Sequence, residues 1–174
     1  MAVLRVLAVL AVSLYLIPAG AHVLEMSNKL ALPLADYMVV QGIYAGWDRA
    51  AYALLAAMVF TMVHAIVVWR LPIARWLSLG AFLALLSNLV VFFSYTYPIN
   101  VLTQNWTVAP ENLETARRQW EYSHAVNAGF VLLALFLIVS AVLASSYASG
   151  MVKRGSAQTQ PERALGSDTP IHRQ

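Results

Sequence analysis

Four apolar runs decide what this chain can become. Residues 1–21, 50–69, 76–95 and 123–147 carry almost no charge. Each is roughly long enough to cross the ~30 Å hydrocarbon core of a bilayer as a helix. The chain is 60% hydrophobic and 11% charged, where a soluble domain of this size would carry about a quarter charged residues. The pattern predicts an all-α fold: a four-helix transmembrane bundle, with two outer loops as a cap. Residues 1–148 form its one domain. Residues 149–174 are polar, contain Pro161 and Pro170, and read as a disordered cytoplasmic tail. There is no cysteine, which excludes disulfides, thiolate metal sites and cysteine nucleophiles. The net charge of +3 is a topology signal and gives no reason to expect nucleic acid as a partner.

The first run has a competing reading. Arg5, an apolar centre and Ala19-Gly20-Ala21 resemble a signal peptide, whose cleavage would leave His22 as an N-terminus. The basic start is thin, so an uncleaved first span is the preferred reading. Arg5, Arg70, Arg75, Lys153 and Arg154 fall on one side of the membrane, and Lys29, Arg49, Arg117 and Arg118 on the other. The count is close, but the first group lies nearest the helix ends. Both termini are therefore expected in the cytoplasm, with a bacterial inner membrane as the natural setting.

The two large connections are then outside. Residues 25–49 hold Pro33, Gly42 and Gly46 interleaved with Tyr37, Tyr44 and Trp47. Residues 96–122 hold a short helical signal, with Glu111 and Glu114 in its first turn and Arg117 and Arg118 in its last, as the helix dipole prefers. The aromatics of both loops suit the headgroup belt.

Candidate chemistry gathers where the loops meet the spans. In Trp120-Glu121-Tyr122-Ser123-His124-Ala125-Val126-Asn127, the residues Glu121, His124 and Asn127 share one broad helical face. His22 and Glu25 repeat the spacing at the end of the first run. Ionisable groups at a bilayer edge are costly and need a reason. Asn88 lies seven residues before Tyr95, roughly 10 Å below the outer surface, and His64 roughly 20 Å below it at 1.5 Å per residue. So His22, Glu25, Glu121 and His124 are expected in one layer, with Asn88 and Asn127 beneath and His64 apart. These four are the candidate metal ligands, since imidazole and carboxylate suit iron, manganese, zinc or copper. Hydrogen bonding among themselves or with water is the competing reading. His64 reads as one side of an interhelical hydrogen bond, and Asn88 and Asn127 as helix–helix glue. Tyr95, Tyr97, Trp106, Trp120 and Tyr122 read as belt before pocket.

Pro18-Ala19-Gly20-Ala21-His22, the stretch from Asp36-Tyr37 to Gly46-Trp47, Asn105-Trp106, and Arg118-Gln119-Trp120-Glu121-Tyr122-Ser123-His124-Ala125 carry a likeness. Over about residues 1–147 the chain resembles the small four-span membrane family that includes the anthrone oxygenases. Most of that family is bacterial and of unknown function. Its characterised fungal members insert oxygen into an activated anthrone carbon to give an anthraquinone, without an established organic cofactor. The resemblance implies His22, Asn105, Trp106 and His124 as candidate positions.

Two function classes follow. In the first, an oxygenase acts on a lipophilic aromatic with dioxygen. His124, oriented by Glu121, removes an acidic C–H proton, and Asn105 or Trp106 donates to the enolate oxygen. The cofactor is one iron or copper ion, or none. In the second, the chain is a non-catalytic membrane subunit or binding protein, with protein subunits as partners, whose His/Glu pairs only hold the cap down.

Overall fold

The computed structural model describes residues 1–165 and is a bundle of four long helices with a small cap at one end. The spanning helices are α1 (Ala2–Ala31), α3 (Ala50–Val67), α4 (Pro72–Val91) and α6 (Leu113–Leu165). All four contain stretches long and apolar enough to cross a membrane, so the chain is an integral membrane protein by composition and shape. Short α2 (Leu34–Val40) and α5 (Tyr97–Leu102) belong to the cap. No strand occurs among the described residues.

The helices pack in the cyclic order α1, α3, α4, α6. Lipid tails are as apolar as leucine, so helix association here rests on close van der Waals contact, not on transfer out of water. The core is accordingly built from small residues. Ala8, Ala11, Ala57, Ala81, Ala84, Ala134 and Ala141 are buried between the helices, with Val12, Leu54, Leu85, Val131 and Ile138 filling the gaps. Gly80 serves the same end: a methyl group there would sit 3.3 Å from Leu137 Cδ1, so its absence lets α4 approach α6.

Several boundaries differ from those expected. The connection between α3 and α4 is shorter, because Pro72 is not a turn residue but opens α4, where its missing N–H costs nothing. The first helix continues ten residues past Ala21. At 30 residues it is about 45 Å long, so its last turns stand beyond the hydrocarbon core. The helix carries Pro18 within it, nothing in 22–31 breaks it, and the next proline is Pro33. The short helix expected before Trp120 is the opening of α6 itself, whose Glu114 receives Arg117 and Arg118 from one turn on. At its other end α6 runs to Leu165, past the expected end of the span at residue 147 and of the domain at 148. The rest of the expected tail, 166–174, lies outside the described residues.

The cap has a core of its own. Tyr37, Ile99, Trp106, Leu113, Ala116 and Trp120 are buried together, with Leu32, Met38 and Tyr44 against them. α4 passes through a wider turn at Phe92–Thr96 into α5. The loop after α5 then takes three consecutive left-handed residues, Gln104, Asn105 and Trp106, with φ of 49°, 55° and 66°. Such geometry costs non-glycine residues roughly 1–2 kcal/mol each. It turns the Trp106 ring into the cap core, and Thr103 Oγ1 accepts the Trp106 N–H at 3.1 Å.

Candidate functional site

The extended ends of α1 and α6 run side by side beneath the cap and bring His22 and His124 together. Their rings stack, with centroids 3.9 Å apart and planes 23° apart. Aromatic rings close around them. Tyr44 lies 4.6 Å from the His22 ring, Trp47 5.5 Å and Trp120 5.1 Å. Trp120 also stands edge-on to His124 at 4.2 Å. His22 is buried and His124 half-buried, and neither His22 Nδ1 nor His124 Nε2 has a hydrogen-bond partner.

A polar network lies beside the imidazoles. Its centre is Lys29, two turns along α1 from His22 and buried. The ammonium meets Glu121 Oε1 at 2.9 Å and donates to the Tyr44 hydroxyl at 2.6 Å. It also packs over the Tyr44 and Trp120 rings at 4.6 and 4.9 Å. Tyr37 donates to Glu121 Oε1 at 2.9 Å and accepts from Gln41 Nε2 at 2.6 Å. Tyr44 donates to Glu25. Burial and the neighbouring Glu121 carboxylate hold the Tyr37 hydroxyl well above the usual phenol range. Burial and the bond to Glu25 do the same for Tyr44. Both therefore act as neutral donors. Arg117 closes the outer edge, donating to the Leu32 carbonyl at 2.8 Å.

Beneath this layer Asn88 donates to the Asn127 carbonyl at 3.2 Å and accepts from Tyr15 at 3.1 Å, joining α1, α4 and α6. Asn88 makes the helix-bridging contacts expected of it; Asn127 takes part through its backbone carbonyl, and its side-chain Oδ1 is buried without a partner. His64 lies apart, as its depth requires, and its Nδ1 is 2.8 Å from Ser78 Oγ across α3 and α4.

The expected metal set does not form. Glu121 is engaged by Lys29 and Tyr37, and Glu25 by Tyr44. The imidazoles meet face to face, an arrangement in which their in-plane lone pairs cannot aim at one ion. Among the described residues no three His, Asp or Glu side chains converge as ligands. His22, Glu25, Glu121 and His124 share a layer, but as a stacked pair and a salt-bridged network.

Two further expectations are corrected. Asn105 is exposed, and the interaction it makes is its backbone N–H to the Asn100 carbonyl at 2.7 Å. Trp106 is buried against Tyr37 and Trp120, one ring removed from His124. Neither is placed to donate to a substrate held at the imidazoles. Glu121 is turned to Lys29 instead of His124. Tyr95, Tyr97 and Tyr122 are exposed, as belt residues are. Tyr37, Tyr44, Trp47 and Trp120 instead turn inward, and Trp120 is pinned by its Nε1 bond to Asn100 Oδ1 at 2.8 Å. An open cleft of about 290 Å³ between α1 and the stretch 40–43 borders the polar network at Glu25 and Lys29, and is lined besides by Asn28, Leu32, Val40 and Ile43. Its volume is at the lower limit of ligand pockets, roughly 300–1,000 Å³.

Lys29, Gln41 and the inward tyrosines were not among the residues singled out from sequence. Once α1 is continued past Ala21, however, His22, Glu25 and Lys29 fall at i, i+3 and i+7 on one face. No family model matches the chain, and no curated protein or solved structure does either.

Proposed function

We propose that this bundle binds a lipophilic, anthrone-like aromatic at its outer end and oxidises it with dioxygen, using side chains alone. One observation carries the reading: two stacked imidazoles, each with an unpaired ring nitrogen, held among Tyr44, Trp47 and Trp120. Flat rings accept a flat ligand by stacking. The unpaired acceptor oxygens Glu121 Oε2 and Gln41 Oε1 nearby call for hydroxyl donors, which a phenolic aromatic carries.

The chemistry balances. His124 Nε2 takes a proton from the activated CH₂ carbon, leaving a carbanion delocalised onto the ring carbonyl. That carbon gives its electron pair to dioxygen, forming the C–O bond, and the peroxide recovers a proton. Loss of water from the hydroperoxide leaves a new carbonyl, so CH₂ and O₂ become C=O and H₂O. Lys29 contributes positive charge toward the enolate, in the role first expected of Asn105 and Trp106. This reading takes the resemblance to the anthrone-oxygenase family at face value and sets the chain in a bacterial inner membrane, with the site facing outward and both termini cytoplasmic.

The second reading is a non-catalytic subunit or binding protein. It is favoured by the way Lys29, Glu121, Tyr37, Gln41 and Tyr44 bond to one another, tying the cap to α1 and α6. Dioxygen uptake by nanodisc-embedded protein with anthrone, corrected for spontaneous oxidation, separates the two. The oxygenase reading expects His124→Ala to lower the protein-dependent rate by about 10²-fold or more. No protein-dependent uptake in the unaltered chain leaves the latch.

A further inference from the structure

The inner end of the bundle differs from the site in its charge. All acidic residues among 1–148, namely Glu25, Asp36, Asp48, Glu111, Glu114 and Glu121, belong to the outer half of the fold. Every ion pair found among the described residues uses one of them. Arg5, Arg70 and Arg75 lie at the opposite end, and none of them forms an ion pair among the described residues. Arg5 Nε and Arg75 Nε are buried donors without a hydrogen-bond partner.

Arg75 is also held in place. Its guanidinium lies over Trp69 at 4.4 Å and over Trp76 at 4.9 Å. Both indoles are largely exposed, 62% and 64%. The clamp straddles the turn at residues 68–71, between the two apolar spans Trp47–Val67 and Pro72–Leu102. The site is therefore at the level of lipid headgroups, where indoles settle. α4 begins at this point with Pro72 and no side-chain cap, so its first turn adds partial positive charge.

We propose that the Trp69–Arg75–Trp76 clamp, with Arg70 beside it, binds the phosphate of an anionic phospholipid. A guanidinium fixed by stacking offers its N–H edge to phosphate oxygens without the ordering cost a free arginine would carry. The three unpaired arginines disfavour the ammonium of a zwitterionic headgroup and favour phosphatidylglycerol. A lipid is the occupant, and not free phosphate, because the exposed indole faces lie where acyl chains begin. This inference is independent of the chemistry proposed for the outer end.

Native mass spectrometry of the full chain from mixed phosphatidylglycerol–phosphatidylcholine micelles tests it. The unaltered protein is expected to retain phosphatidylglycerol preferentially. Arg75→Gln should reduce that preference roughly tenfold, and Arg75→Lys, which keeps the charge but loses the stacked fork, should fall between. Should Arg75→Gln not fold by near-UV circular dichroism, the lysine variant decides. Equal retention of the two lipids by the unaltered chain overturns the proposal, as does a preference that survives the Arg75 variants. Displacement of phosphatidylglycerol by millimolar inorganic phosphate overturns the lipid assignment in favour of a free-anion site.

Discussion

Removing the Lys29 ammonium tests how the candidate site is held together. Lys29→Met keeps the length of the side chain and leaves the Glu121 carboxylate in a site where its side chain is fully buried. Breaking a buried ion pair by deleting one partner costs about 3–5 kcal/mol. Tyr37 still donates to Glu121, which places the expected loss near the lower figure, about 3 kcal/mol. Glu121→Leu should cost about the same, since Lys29 then keeps Tyr44 and a Glu25 oxygen 3.9 Å away. The double variant strands no charge. Its main debt is the Tyr37 hydroxyl left without an acceptor, about 1–3 kcal/mol. Summed singles predict about 6 kcal/mol, so the cycle should show a coupling of roughly 3 kcal/mol or more. Thermal unfolding in nanodiscs followed by tryptophan fluorescence reads this directly, because Trp120 packs on Lys29. At about 2–4 °C per kcal/mol for a chain of this size, each single variant should melt about 6–12 °C lower, and the double variant clearly above the summed loss. Additive losses would show that the two side chains do not stabilise each other, and the network would lose its place as the centre of the site.

Other outcomes follow from the same geometry. Tyr37 and Tyr44 are held neutral above the normal phenol range. Their contribution is thus complete below an unfolded tyrosine value near ~10 and is lost as pH rises past it, because only the unfolded chain gives up the proton. Melting temperature should fall from about pH 10 upward, and Tyr37→Phe with Tyr44→Phe should flatten that fall. An unchanged slope removes the tyrosines from the explanation. Ser78→Ala removes the His64 partner and should cost about 0.5–1.5 kcal/mol with no effect on oxygen uptake or ligand binding, since the pair is far from the outer layer; a loss of either at normal stability would contradict this. Gly46 stands at φ 83°, so Gly46→Ala should lower stability by about 1 kcal/mol and weaken quenching of Trp47 by a bound aromatic. Normal stability and quenching would mean that the turn does not position Trp47.

The spans and the layer were legible because both depend on counting. A run of apolar residues must be long enough to cross, and a residue's depth follows from its distance to the end of the run. That arithmetic placed His22 beside His124 and kept His64 away. It could not choose partners. A carboxylate and an imidazole in one layer look complementary, yet the carboxylates went to Lys29 and the tyrosines. Partner choice depends on rotation about the helix axis and on which loop side chains fold inward, and neither is a matter of depth. Lys29 escapes the sequence reading because residues 25–31 are polar and read as the start of a loop. Polarity marks where a helix leaves the lipid, not where it stops: α1 carries Pro18 and Gly20 within it and ends only at Ala31, ten residues past the apolar run.

The placement of Asn105 and Trp106 departs from expectation for another reason. Three successive non-glycine residues with positive φ have no dependable signature in composition. Such a turn exists only where surrounding contacts over-determine it, here the Thr103 bond and the burial of Trp106 against Tyr37. The structure thus gives this segment a backbone role that residue types alone do not announce. The strained turn drives Trp106 into the cap, Trp106 supports Trp120, and Trp120 meets both imidazoles. On this geometry Asn105-Trp106 acts at one remove, by fixing the ring on which the histidines rest.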